Sequence, residues 1–160
     1  DNIITNTEYF DKKNNELKNL QTQINTYDTL YNNLKDFASM EIDIYRFATN
    51  ILLSQNLTTT YIKSIVLNYS NKYNETREQK IIVLDNSIVN SINLLDYFNN
   101  LDLTKSLETI QTEINNINKN LINKLNLYFK RKEYYNKKYN EINNGKINYC
   151  WAKYLGHIIL

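Results

Sequence analysis

Proline is absent from all 160 residues of this chain, and glycine occurs only at Gly145 and Gly156. Tight hairpins, β-sandwiches and phosphate-cradling loops depend on those two residues for their turns, whereas long helices joined by Asn- and Asp-rich links do not. An all-α fold is the natural outcome. Asn makes up roughly a fifth of the chain, well above the usual mix. As a middling helix former it leaves apolar seams, rather than intrinsic propensity, to hold the helices. The bias toward Asn, Ile, Lys and Tyr is that of an AT-rich genome.

Those seams are legible. Phe10, Leu17, Leu20, Ile24, Tyr27, Tyr31 and Leu34 follow three- and four-residue steps, interrupted only at Lys13, which predicts a long helix over about 6–37. A second helix is expected to begin near Ser39, with Met40, Ile44, Phe47, Ala48, Ile51 and Leu52 in its stripe. The run TTTYIKSIVLNY is rich in β-branched residues, yet Tyr61, Ile62, Ile65, Val66 and Tyr69 also form a helical stripe and no second strand is in evidence. Residues 58–70 are therefore read as helix.

Asn74, followed by Glu75 and Glu78, reads as a helix start. In the run that follows, Ile81, Ile82, Leu84, Ile88, Val89, Ile92 and Leu95 cover almost half of a helical wheel, so 81–98 is expected to be the most buried helix. After a turn at Asn99, Asn100 and Asp102, with Asp102 or Thr104 as the next cap, comes the longest pattern. Leu103, Leu107, Ile110, Ile114, Ile117, Leu121, Leu125, Tyr128, Lys132, Tyr135, Tyr139 and Ile142 mark one helix over about 103–143, ended by Asn144 and Gly145. Ile147, Trp151, Leu155 and Ile158 then suggest a short C-terminal helix folded back to bury the single Trp. The expected whole is one helical domain over 1–160, an elongated antiparallel bundle with two long coiled-coil-like helices bracketing shorter ones. Because the chain opens on Asp1, it is expected to be a matured or excised piece of a longer one. Its compartment is left open, and surface exposure is compatible with a removed leader.

Chemistry is sparse. One cysteine, Cys150, leaves no internal disulfide or multi-cysteine metal site, and one histidine, His157, leaves no two-histidine zinc motif. Cys150 is expected to be a small buried residue and His157 a terminal surface one. Both glycines lie in the last sixteen residues, so no loop is present to wrap backbone amides around a nucleotide. Glu41 and Asp43 form the closest acidic pair, but a two-residue helical spacing turns their side chains apart. No catalytic set, cofactor or metal is implied, and no run approaches the ~18–20 apolar residues of a membrane span. The sequons at Asn56, Asn68 and Asn74 are what chance supplies in so Asn-rich a chain.

One stretch stands out, YFKRKEYYNKKYNEINNGK at 128–146. Lys130, Arg131, Lys132, Lys137, Lys138 and Lys146 oppose Glu133 and Glu141, a local net charge of +4 in a chain of +2. Such a concentration suits an acidic surface or a nucleic-acid backbone. Tyr128, Tyr135 and Tyr139 continue the apolar seam, whereas Tyr134 stands among the cations. Glu133 and Glu141 flank Lys137 at four-residue steps. The set without such helix neighbours, Arg131, Lys132 and Lys138 with Tyr134, is the candidate partner-binding face. Two functional expectations follow. The first is a non-enzymatic helical interaction or structural module, for example a surface or host-interaction protein of a parasite or virus, self-associating through its heptads or holding a protein partner. The second is a helical nucleic-acid-binding protein using 128–146.

Overall fold

The computed structural model describes residues 6–54 and 56–159, with side chains up to Leu155. Among them stand six α-helices and one 3-10 turn, and no strand: α1 Asn6–Leu52, α2 Thr59–Ser70, the 3-10 turn Asn71–Tyr73, α3 Asn74–Ile81, α4 Asn86–Ile92, α5 Leu94–Asn99 and α6 Leu107–Ile159. The protein is an all-α helical bundle. The ambiguous segment 58–70 is helical, and Thr58 caps it by accepting from the Tyr61 amide at 3.1 Å, which anchors the β-branched run in helix.

The helices differ from the sequence expectation at Ser39, within 81–98 and at both ends of the last long helix. The break foreseen at Ser39 is absent, and α1 runs on to Leu52. Ser39 does not cap a new helix; its hydroxyl donates back to the Asp36 carbonyl at 3.0 Å, and Leu34, Phe37, Ala38, Ile44 and Ala48 carry one buried stripe across the site. The helix expected over 81–98 is instead interrupted twice. Ile82 and Val83 are exposed, Asp85 caps α4 through the Ser87 amide, and Asn93 caps α5 through the Asp96 amide. Asn74 is inside α3 rather than capping it, its amide donating to Asn71 Oδ1. Local Asx capping thus outweighs the apolar period.

The third difference is at the other long helix. It begins at Leu107, capped by Ser106 Oγ accepting from the Thr109 amide, because Asp102 is engaged in a turn with Thr104 and Leu103 is exposed. It also does not stop at Asn144 and Gly145 but passes through them to Ile159. Gly145 has no heavy atom within 4 Å of where a Cβ would sit, so the glycine is neither a stop nor a close-packing requirement. Among the described residues no separate C-terminal helix folds back. Trp151, expected inside, is 58 % exposed, and the Cys150 thiol, also expected inside, is exposed. The expectations for His157 and Ile158 concern side chains outside the described residues.

The chain groups into two compact units. The larger, Leu30–Leu127, contains the main core, in which Ile44, Ala48 and Leu52 of α1 meet Ile62 and Val66 of α2, Leu94 and Phe98 of α5, and Ile110 and Ile114 of α6. Phe98 is fully buried, and truncating such a ring to Ala costs about 3–5 kcal/mol. Tyr45 donates to Asn115 and Gln111 donates to Thr49, so α1 and α6 run antiparallel here. The smaller unit joins Asp1–Thr29 and Tyr128–Leu160. Its two helical segments are antiparallel as well, with Asp28 at Lys132, Asn14 at Lys146 and Asn6 at Tyr149. Among the described residues of this unit only Leu17, Ile24 and Tyr128 are buried apolar side chains. Aromatic stacking supplements them: Tyr9 lies on Tyr149 with centroids 3.9 Å apart, Phe10 meets both edge-on, and Tyr27 stacks on Tyr135 at 5.7 Å.

Candidate functional site

The four residues singled out in the basic stretch are all on α6 in the smaller unit, but they do not share one face. At about 100° per residue, Arg131, Tyr134 and Lys138 lie on one flank of the seam that meets α1, and Lys132 lies on the other. Lys132 Nζ is bound to Asp28 Oδ1 at 2.6 Å. Arg131 Nη1 donates to the Tyr27 hydroxyl at 2.9 Å, with its guanidinium 5.7 Å from that ring. These two cations therefore clamp α1 to α6 from opposite sides of the Tyr27, Tyr128 and Tyr135 cluster. Lys138 rests 5.6 Å from the Tyr134 ring and 4.0 Å from Glu141, so Glu141 turns to Lys138 and not to Lys137.

Tyr134 is 55 % exposed, its ring edge-on to Tyr135 at 5.3 Å. Helical geometry puts Lys130 and Lys137 beside it, both exposed. The flank formed by Lys130, Arg131, Tyr134, Lys137 and Lys138 spans an arc of about 120°, with Glu141 as its acid. A cationic arc centred on a solvent-facing ring attracts a carboxylate- or phosphate-bearing surface and offers it an aromatic contact.

A second constellation lies inside the larger unit. Glu41, 2 % exposed, accepts from Arg77 Nε at 2.5 Å through Oε1 and from the Leu94 amide at 2.8 Å through Oε2. Arg77, 5 % exposed, also donates to Asn93 Oδ1 at 3.0 Å and lies 5.3 Å from the Phe37 ring. One carboxylate thus ties α1 to α3 and to the first turn of α5, where the amide dipoles favour negative charge. Burial pushes the Glu41 carboxyl up from its ordinary value, outweighing the opposing pull of Arg77 and the Leu94 amide. Both oxygens are committed, and the adjoining void beside Asn118 and Tyr45 is about 10 Å³, room for no more than one water. The node joins elements and offers no access to a substrate.

Asp43, two residues on, faces a different neighbourhood. It accepts from Tyr73 at 2.5 Å and Tyr69 at 3.0 Å, with Lys72 at 3.5 Å. The Tyr73 hydroxyl is the foremost reason that its carboxyl is held below the usual range, followed by Tyr69 and Lys72. Tyr69 in turn stacks on Phe47 at 3.9 Å. Glu41 and Asp43 therefore belong to separate networks, as their spacing demands.

Sequence reasoning missed Arg77, which carries no signal in ETREQK. It passed over a signal at Glu41, which occupies a core step between Phe37 and Ile44 and so puts a carboxylate where the stripe requires an apolar side chain. Among the described residues no group of three or more His, Cys, Asp or Glu side chains is arranged to hold a metal ion, and no helix is long and apolar enough to cross a membrane. Fold and site together define an all-α bundle with a cationic, tyrosine-centred flank and a buried ionic node. Comparison with protein families, curated proteins and solved structures finds no match to this chain.

Proposed function

We propose that this protein is a non-enzymatic helical interaction module that docks an acidic protein surface on the α6 flank of Lys130, Arg131, Tyr134, Lys137 and Lys138. The observation that carries this reading is the orientation of Tyr134. Tyr128 is buried and Tyr135 is stacked on Tyr27, yet Tyr134 is turned to solvent among cations. Large aromatics are the anchors that protein interfaces favour, and the cations around this one select a partner of opposite charge. The compositional bias toward AT-rich codons supports a source among parasites or viruses with such genomes, in which this chain would be a surface or host-interaction protein.

Affinity capture from host and homologous lysates tests it, comparing wild type with a Lys130→Glu, Tyr134→Ala, Lys137→Glu triple variant. Those three side chains make no described tertiary hydrogen bond or ion pair, so helicity by circular dichroism should not change. Loss of a retained protein by the variant supports the proposal, and equal retention refutes it. Retention that vanishes on nuclease treatment, and that falls steeply with salt, assigns the flank to nucleic acid instead.

A further inference from the structure

The last stretch of α6 has a second apolar face that its pairing with α1 does not use. Tyr149 points to α1, stacked on Tyr9 and donating to Asn6. Stepping about 100° per residue from Tyr149, Ile147, Cys150, Trp151, Tyr154 and Leu155 gather in an arc of about 140° on the opposite side. All are exposed, the four large ones between 48 % and 58 %. Ile147, Cys150, Trp151 and Tyr154 line a shallow apolar recess, and Trp151 meets Tyr154 edge-on at 5.7 Å. A contiguous apolar strip of this kind on a helix surface is a binding surface by default.

Charge decides among occupants. From Ile142 to Leu160 the sequence contains no Asp or Glu, while Lys146 and Lys153 lie at one border of the strip, seven residues apart. Neither lysine has a carboxylate within ion-pair distance among the described residues; Lys146 donates to the neutral Asn14 amide and Lys153 lies over the Tyr149 ring. Two copies of this strip packed together would oppose their lysines with no acid to meet them. An anionic bilayer surface supplies the missing charge. Trp and Tyr are also the residues whose half-polar rings settle at the headgroup level, and an amphipathic helix with a basic border lies in that plane without crossing it.

We propose that residues 146–155 form an interfacial membrane-docking helix for anionic lipid, inserting Ile147, Trp151, Tyr154 and Leu155 to headgroup depth with Lys146 and Lys153 on the phosphates. This strip is distinct from the cationic flank around Tyr134, and the proposal does not depend on the protein-partner reading.

Trp151 is the only tryptophan, so its fluorescence reports the event directly in the full chain. Titration with phosphatidylcholine vesicles containing phosphatidylserine should shift Trp151 emission to the blue. At roughly fivefold per lysine, partitioning should be about 25-fold weaker on phosphatidylcholine alone. Lys153→Ala should reduce binding to the anionic vesicles roughly fivefold. Ile147→Ser with Leu155→Ser should abolish the shift while circular dichroism stays unchanged, since both side chains are exposed. Emission unaltered by anionic vesicles overturns the proposal. So does binding that survives the double serine change, and so does a lipid-independent blue shift that accompanies a doubled mass in light scattering, which would assign the strip to a second copy of the chain.

Discussion

Replacing Arg77 with Met leaves the Glu41 carboxylate, 2 % exposed, with the Leu94 amide as its remaining hydrogen-bond donor. At a charge separation of about 4 Å and an effective dielectric of about 20, the lost attraction is about 4 kcal/mol, and breaking a buried pair in this way costs about 3–5 kcal/mol. Glu41→Leu strands the guanidinium against Asn93 alone and releases the Leu94 amide, with a loss of the same order. The double variant Glu41→Leu, Arg77→Met removes both charges and should recover most of that, remaining below wild type by the ~1–3 kcal/mol of the unsatisfied amide. Urea unfolding followed by circular dichroism gives all four corners of the cycle. Single losses that add to within about 0.5 kcal/mol would refute the reasoning, because they would mean the two charges do not sense each other. The pH dependence supplies a second check. Because burial raises the Glu41 pKa on folding, the folded state takes up that proton first; the group's stabilising contribution is full below the ordinary carboxylate value and falls as pH rises through the raised one. In Arg77→Met the counter-charge is gone, so the destabilisation should shrink further as the solution is made acidic.

Asp43 should show the opposite sign. Its pKa is lowered on folding, first by Tyr73, so its contribution is present above the ordinary carboxylate value and is lost as pH falls through the lowered one; Asp43→Asn should remove that acid-side slope from a stability-versus-pH curve. Gly145→Ala should stabilise the protein by about 0.5–1 kcal/mol, because a helical glycine is replaced where a methyl group meets nothing; a lower Tm would show that the residue needs its freedom. Amide hydrogen exchange should protect α2, α5 and the Ile44 to Leu52 stretch far more than Asn6 to Thr29 and Tyr128 to Tyr149, since the described residues of the latter unit include three buried apolar side chains. Equal protection would mean that the aromatic stacks are worth more than their burial indicates. The Cys150 thiol, exposed on α6, should react with a thiol reagent in the native protein at a rate close to that of the urea-unfolded chain.

The course of α2 was readable because Tyr61, Ile62, Ile65, Val66 and Tyr69 lie on a helical stripe. The inward packing of Tyr128 and Tyr135 was readable for the same reason, their heptad steps continuing those of Leu121. The flank around Tyr134 was readable in part. Its charge, its exposed ring and the separation of Lys132 from Arg131 follow from the wheel, but the partners that occupy those two cations, Asp28 and Tyr27, are more than a hundred residues away. Ser39, Asn144 and Gly145 misled because each is a terminator by local preference. At each of those positions a helix already held on both sides by packed neighbours continues at a cost of no more than about 1 kcal/mol.

Composition and periodicity alone determined that this chain is helical, that its seams run at three- and four-residue steps, and that positive charge gathers late in the sequence. Those properties belong to single helices, whose geometry is fixed by nearest neighbours along the chain. Tertiary structure alone decided that α1 runs on past Ser39, that Arg77 finds Glu41 and the first turn of α5, and that Trp151 and Cys150 face outward. The reason is that ion pairing and burial are settled between segments distant in sequence, which the local preferences of a single sequence do not display.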